Sequence, residues 1–262
     1  MILRSILATF CCVVLLLAEA QMHAQLAVPG ASGVAMGHVH LTARDSAASK
    51  TFWTVLGGIA VQNGALQLIQ FPGTFVMLRQ GQPTGGTVGS TVDHLTFRVA
   101  NLPRAIERWS KEAGIAVSPD GSIETPDGIR IRLLNDVSAD GPPSFGAISI
   151  VTIAPQETQA WYVKQFGATP GKPGPTMTAT LPGVTLEFGK ADAPPASTRG
   201  RALDHIGFEV KNLEEFCKKL EAAGIKLDRP FTRLPNSSTA IAFLTDPWGT
   251  YIELTENLAP PK

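Results

Sequence analysis

The sequence predicts an α+β fold made of four similar βαβββ modules grouped into two domains. Three short segments, at 37–41, 93–97 and 204–208, place a histidine at the start of an apolar strand. His38 and His94 are 56 residues apart, and His94 and His205 are 111 apart, close to twice that spacing. A fourth copy therefore falls midway, where Ala-Ile-Ser-Ile at 147–150 keeps the strand pattern without the histidine. Self-similarity at a fixed period is typical of repeated structural units.

The remainder of each module follows from signals after its first strand. A glycine lies 19 or 20 residues after each strand start, at Gly57, Gly114, Gly167 and Gly224. These glycines fit helix C-terminal caps, which favour a left-handed residue. Asn101-Leu102-Pro103 is typical of a helix start, with a capping side chain and a proline in the first turn. β-favouring stretches broken by turns come next, so the predicted unit is strand, helix, then about three strands.

Proline- and glycine-rich breaks divide the modules. Asp140-Gly141-Pro142-Pro143 separates the second module from the third, which predicts domains at 34–139 and 144–257. The Gly-rich run at 81–89 separates the first two modules, and Pro194-Pro195 separates the last two. The Gly-rich run lacks the Lys-Ser/Thr ending of a phosphate loop, so we interpret it as a linker.

Composition and the amino terminus restrict the possible partners and location. The 262 residues carry 22 Lys plus Arg and 22 Asp plus Glu, a net charge of zero that argues against a nucleic-acid-binding protein. Residues 1–20 combine one basic residue, an apolar run and Ala18-Glu19-Ala20, which predicts a signal peptide cleaved after Ala20 or, alternatively, Ala24. The protein is then secreted or periplasmic, without a membrane attachment; an uncleaved anchor is the alternative. Of the cysteines, the mature chain keeps Cys217, on the apolar face of a predicted helix.

Two motifs of the fourth module carry a family resemblance. The opening Asp-His-Ile-Gly-Phe-Glu-Val at 204–210 and the ending Asp-Pro-Trp-Gly-Thr-Tyr-Ile-Glu-Leu at 246–254 resemble the vicinal oxygen chelate superfamily. That superfamily includes glyoxalase I, extradiol dioxygenases, fosfomycin-resistance enzymes and bleomycin-binding proteins. The resemblance implies that modules pair into half-open β-barrels, or cups, each able to hold a divalent metal. It places the ligands at one position on the first strand and one on the last strand of each module.

Carried onto the carboxy-terminal domain, the resemblance implies a metal centre. The first-strand positions are Ala147 and His205, and the last-strand positions are Glu187 and Glu253. We therefore expect His205, Glu187 and Glu253 to bind Fe2+, Mn2+, Zn2+ or Ni2+, because imidazole and carboxylate suit these ions. Glu253 is a candidate catalytic base, and Glu209, on the same strand face as His205, is a second.

The amino-terminal cup has a different predicted character. Its first-strand positions are His38 and His94, but its last-strand positions are Met77 and Arg132, and a guanidinium does not bind a metal. We expect this cup to be structural or to bind an anionic group. The possible anion or substrate contacts are His38, His40, His94, Arg98 and Arg132.

The predicted function is that of an exported, metal-dependent enzyme of lyase or dioxygenase type. It would act on a small molecule with two adjacent oxygens, as a monomer or homodimer. A metal-free small-molecule-binding or resistance protein is the alternative, and a scaffold with remnant sites is a third hypothesis. Ala147 weighs against the dioxygenase type, because the resemblance implies a histidine at that position.

Overall fold

The computed structural model describes residues 26–63, 66–138, 141–172 and 174–258. The predicted signal peptide at 1–20 lies outside these residues. The first module contains β1 (Val34–Ala43), α1 (Ser46–Leu56), β2 (Ile59–Asn63), β3 (Leu66–Phe71) and β4 (Thr74–Gln80). The second contains β5 (Val92–Val99), α2 (Leu102–Ala113), β6 (Ser122–Glu124) and β7 (Arg130–Asn135). The third contains β8 (Ser144–Thr152), α3 (Pro155–Phe166), β9 (Thr169–Pro170), β10 (Met177–Leu181) and β11 (Val184–Lys190). The fourth contains β12 (Leu203–Val210), α4 (Leu213–Ala222), β13 (Leu227–Arg233), β14 (Ala240–Thr245) and β15 (Tyr251–Glu256).

The predicted α+β fold of four modules is confirmed, and the helix ends follow the predicted cap signals. The Asn101 side chain accepts a hydrogen bond from the amide of Arg104 at 3.4 Å at the start of α2. Gly114 and Gly167 end α2 and α3 in the left-handed conformation, with φ of 63° and 68°. In the second module, two strands rather than three follow the helix. Among the described residues, no helix is both long and apolar enough to span a membrane.

The modules pair differently from the prediction. One sheet has the order β13-β14-β15-β12-β1-β4-β3-β2, and the other has the order β6-β7-β5-β8-β11-β10-β9. The first module therefore shares a cup-like sheet with the fourth, and the second shares one with the third. The predicted division at 34–139 and 144–257, which paired neighbouring modules, is wrong in this respect.

Contacts between the two linkers explain this arrangement. The linker at 81–91 runs beside the linker at 191–202, with a parallel bridge between Ser90 and Ala196. The Arg201 side chain donates hydrogen bonds to the carbonyls of Gly86 and Val88 at 2.8 and 2.9 Å. These two linkers therefore mark the places where the chain passes from one sheet to the other, whereas β7 and β8, on either side of the predicted domain boundary, belong to the same sheet.

The hydrophobic core joins the two sheets into one body. Trp53 of α1 is fully buried and packs against Phe71 of the eight-stranded sheet and Phe97 of the seven-stranded sheet, with ring centroids 5.9 and 6.0 Å apart. Phe166 of α3 packs against Phe208 of β12 at 5.1 Å. Along each strand, residues that alternate with the core residues lie on the other face of the sheet. The candidate site lies on that face of the eight-stranded sheet.

Replacing Trp53 by Ala should destabilise the whole protein, since its ring contacts both sheets. We expect the free energy of unfolding to fall by about 3–5 kcal/mol, the cost of removing a buried Trp side chain, in a single transition measured by urea denaturation. Val137→Ala, at a side chain that is 89% exposed, should change the stability by less than about 0.5 kcal/mol. Two separate transitions, with only one shifted by Trp53→Ala, would contradict a shared core.

Candidate metal centre

Three ionisable side chains of the eight-stranded sheet converge on the face of that sheet opposite the shared core. His38 lies on β1, His205 on β12 and Glu253 on β15. One oxygen of Glu253, Oε2, lies 3.0 Å from His38 Nε2 and 2.9 Å from His205 Nε2. One potential ligand atom from each residue lies within 4.8 Å of the other two. All three residues are buried, with 0%, 4% and 7% of their surface exposed.

Strand register explains why these residues meet. In the antiparallel β1–β12 pair, His38 lies opposite Gly207, and in the parallel β12–β15 pair Gly207 lies opposite Glu253. A Cβ atom at position 207 would overlap the imidazole ring of His38. The missing side chain of Gly207 therefore provides the space in which the His38 ring reaches Glu253.

Asp204 orients the second histidine. Its Oδ1 accepts a hydrogen bond from His205 Nδ1 at 2.7 Å, and its Oδ2 accepts one from the amide of Gly200 at 2.7 Å. This contact directs Nε2 of His205 toward Glu253. A carboxylate bonded to the other ring nitrogen is the usual support of a metal-binding histidine, because it fixes the ring orientation and strengthens the ligand.

The electrostatics of the cluster follow from these bonds. Burial alone would raise the pKa of Glu253, but hydrogen bonds from His205 and His38 outweigh it and hold the pKa well below its usual range. Burial alone would lower the pKa of His205, but its bonds to Asp204 and Glu253 raise it. Glu253 is therefore a carboxylate, the form that binds a cation.

The donor set fits a divalent transition metal. Two imidazole nitrogens and one carboxylate oxygen suit Zn2+, Fe2+, Mn2+ and Ni2+. The fourth position that the family pattern implies is Met77 on β4, whose thioether is a soft ligand and a poor partner for these ions. His38, His205 and Glu253 are hereafter called the metal triad.

A cavity of about 300 Å3 adjoins the triad and reaches the size of small-molecule sites. Its polar wall contains His40, Arg79, Asp204, His205, Thr239, Glu253 and Thr255. Its apolar wall contains Leu66, Met77, Leu234, Ile241, Phe243, Tyr251 and Leu258. The rings of Phe243 and Tyr251 stack 5.3 Å apart, and both meet the His205 ring edge-on. The cavity thus combines an apolar body with polar groups at the triad.

A larger cavity, of about 810 Å3, lies beside α2 and is lined by Arg104, Arg108 and Lys111 among others. It contains none of the triad residues. Size alone is therefore a poor guide here, and the smaller cavity is the candidate site because the convergent ionisable groups lie there.

The predicted ligand set needs one correction. Glu187 lies on β11 of the seven-stranded sheet, in register with Ser149 of β8, and the structure does not bring it to the triad. His38, predicted as an anion or substrate contact, lies in the triad in its place. The cause is the pairing of the first module with the fourth.

The other predicted anion contacts are divided between the two sheets. His40 lines the triad cavity, where burial, followed by the nearby His205 and His38 rings, lowers its pKa to about 3. His94, Arg98 and Arg132 all lie in the seven-stranded sheet. There, His94 bonds Asp93 at 2.8 Å, Arg98 lies 3.7 Å from Asp136, and Arg132 is exposed. The predicted grouping of all five residues in one basic cup is therefore wrong.

Glu209, the predicted second catalytic base, is held by the end of β15 and the two residues after it. Its carboxylate accepts hydrogen bonds from Thr255 Oγ1 and the Asn257 amide, both at 2.7 Å, and from the Leu258 amide at 3.4 Å. Burial raises its pKa. The structure does not bring this carboxylate to the triad, and its contacts are those of a residue that fixes the segment at Asn257 and Leu258.

Asp204 and Gly207 belong to the site but were not among its predicted residues. A signal for Asp204 was present, because the Asp-His pair occurs twice, as Asp93-His94 and Asp204-His205, and both pairs make the same side-chain contact. Gly207 carried no local signal, since its importance depends on His38 lying across the ladder.

Comparison with known proteins agrees with this architecture. The model of the Glyoxalase/Bleomycin resistance protein/Dioxygenase superfamily matches residues 144–254. No curated protein matches the chain. The chain is similar to glyoxalase I from Zea mays, at 17% identity and a TM-score of 0.69, over 86% of this chain and 92% of that chain. It is also similar to a candidate dioxygenase from Bacillus subtilis subsp. subtilis str. 168, at 13% identity and a TM-score of 0.65, over 90% and 87% of the two chains. At these identities the similarity shows the fold.

Replacing Gly207 by Ala should displace the His38 ring, because the added methyl group occupies its space. We expect a loss of about 1–3 kcal/mol in the free energy of unfolding, as for overpacked cores, and a crystal structure with His38 moved away from Glu253. Gly146→Ala is the matched control in β8, where the nearest atoms, at 3.3 Å, belong to the flexible Arg98 side chain. An unmoved His38 in the Gly207→Ala variant would contradict this account of the site.

Proposed function

We propose that the chain, whose residues 144–254 match the model of the Glyoxalase/Bleomycin resistance protein/Dioxygenase superfamily, is a divalent-metal-dependent enzyme acting on a small molecule with two adjacent oxygens. The convergence of His38, His205 and Glu253 beside a cavity carries the proposal. A bound divalent ion would supply Lewis-acid polarisation of an oxygen pair. The chain's own groups hold the ligand's body against the apolar wall and keep the donor side chains in place.

Asp204 has the positioning role in this proposal. It fixes the orientation of His205 through Nδ1, so that Nε2 faces the carboxylate of Glu253. Arg79 lies 3.9 Å from Asp204 and is 59% exposed at the side chain, which places a cation at the edge of the cavity. A ligand with an anionic group next to its oxygen pair would meet Arg79 there.

The donor set favours the dioxygenase branch over the lyase branch. Two histidines and one carboxylate form the ligand set of non-haem Fe(II) oxygenases, although catalytic zinc sites also use it. Ala147, the residue that weighed against a dioxygenase, lies in the other sheet, and both first-strand positions of the triad's cup are histidines. Export, proposed below, removes the chain from the cytosolic glutathione pool and weighs against a glutathione-linked lyase.

Metal content tests the proposal directly. We expect the purified protein to bind one divalent ion per chain, measured by elemental analysis before and after chelation. His38→Leu, His205→Leu and Glu253→Gln should each weaken metal affinity at least about 100-fold, since loss of even a supporting residue costs 10–100-fold in metal sites. Glu187→Gln is the matched control and should leave the affinity unchanged.

Two outcomes would contradict the assignment. Loss of metal in Glu187→Gln, with metal retained in His38→Leu, would show that the triad is not the centre. A wild-type protein that binds no divalent ion, but melts at a higher temperature with small-molecule ligands, would favour the metal-free binding protein instead.

We also propose that residues 1–20 direct export to the periplasm or beyond the cell, on the basis of their short apolar run and Ala-Glu-Ala ending. Protein recovered outside the cytoplasm should begin at Gln21, or at Gln25 if cleavage follows Ala24. Amino-terminal sequencing of the extracellular or periplasmic fraction decides between the two. An intact Met1 on soluble cytoplasmic protein would refute export.

A further inference from the structure

His40 lies in the cavity beside the metal triad. It follows His38 by two residues on β1, so both side chains lie on the same face of the strand. It is in register with His205 on β12 and with Met77 on β4. Its ring centroid lies 4.5 Å from that of His205. A polar ring is thus present next to Met77, at the edge of the triad.

Among the described histidines, His40 is distinguished by its lack of partners. His38 bonds Glu253, His94 bonds Asp93, and His205 bonds two carboxylates. Neither ring nitrogen of His40 has a hydrogen-bond partner in the described part of the chain, and both are shielded from solvent. A buried donor without a partner costs free energy, so an unpaired polar ring that borders a cavity indicates a partner supplied by a ligand.

Geometry separates His40 from the metal ligands. The group whose ligand atoms all lie within 4.8 Å of one another contains His38, His205 and Glu253 but not His40. An imidazole ring carries at least one N–H donor, which suits an oxygen of a hydroxyl or an oxygen anion. His40 therefore has the position and the chemistry of a group that contacts the ligand rather than the ion.

We propose that His40 is a ligand-contacting residue that hydrogen-bonds an oxygen of the small molecule bound beside the metal triad. The ligand's oxygen would lie between the triad and the His40 ring, with its apolar body against Phe243 and Ile241. Met77, opposite His40 on the neighbouring strand, adds apolar contact on that side. This inference rests on the proposed function, because it places the ligand next to a bound ion.

The test uses the full chain loaded with Co2+, whose visible absorption reports binding, and catechol as a probe with two adjacent oxygens. The measurements are the Kd of Co2+ and then the Kd of catechol for the loaded protein, under argon. The variants are His40→Leu, which removes the donor, and His40→Asn, which keeps one. His94→Leu is the control, because it removes an imidazole that lies in the other sheet and does not line the triad cavity.

We expect the Co2+ affinity of both His40 variants to remain within about threefold of wild type. The Kd of catechol should rise about tenfold in His40→Leu, the effect of losing one hydrogen bond, and should recover to within about threefold in His40→Asn. His94→Leu should change neither constant. His40→Phe repeats the test with a ring of similar shape if His40→Leu fails to fold, as judged by its melting curve.

Other outcomes overturn the inference in distinct ways. A large loss of Co2+ affinity in His40→Leu would make His40 a metal ligand. Unchanged catechol binding in His40→Leu, with Co2+ bound normally, would refute the contact while leaving the proposed function standing. Wild-type protein that binds no Co2+ would refute both.

Discussion

The antiparallel ladder between β1 and β12 is the interaction on which the rest of the molecule depends. It joins the first described strand to a strand about 170 residues later, in a register that places His38 opposite Gly207 and His40 opposite His205. With the first and fourth modules (the outer modules) in one sheet, the second and third modules pair through β5 and β8. The two linkers then run side by side between the sheets. The fold and the triad therefore have one common cause.

Burying three ionisable groups in one cluster is costly unless each is paired. Glu253 meets this requirement by accepting from two imidazoles, and His205 meets it by bonding a carboxylate at each ring nitrogen. These contacts also preorganise the donors, since the rings are already aimed at one carboxylate oxygen. A cluster whose groups are hydrogen-bonded in this way holds nitrogen and oxygen ligands close together without first having to assemble them.

A few differences in residue type at equivalent positions distinguish the two cups. In the eight-stranded sheet Gly207 lies opposite His38, whereas in the other sheet Thr96 lies opposite Ala147 at the equivalent place. The last-strand carboxylate Glu253 corresponds to Arg132 in the second module. The second sheet thus keeps the oriented Asp93–His94 pair but lacks the neighbouring ligands that would make it a metal site.

The sequence was sufficient to predict what depends on local spacing: four modules, their helix caps, and the presence of His205 and Glu253 in one candidate site. It did not reveal which modules pair, because strand pairing over long separations leaves no trace in a repeat period. The composition of the linkers suggested that neighbouring modules pair. Proline and glycine are common both at a domain boundary and where a chain passes from one sheet to another, so composition does not distinguish the two. The chemistry of the candidate metal ligands would have indicated which modules pair. Pairing neighbours sets two histidines against Arg132, whereas pairing the outer modules gives two histidines and Glu253 in one cup. Where repeats can pair in two ways, the pairing that gathers competent ligands is the better structural prediction.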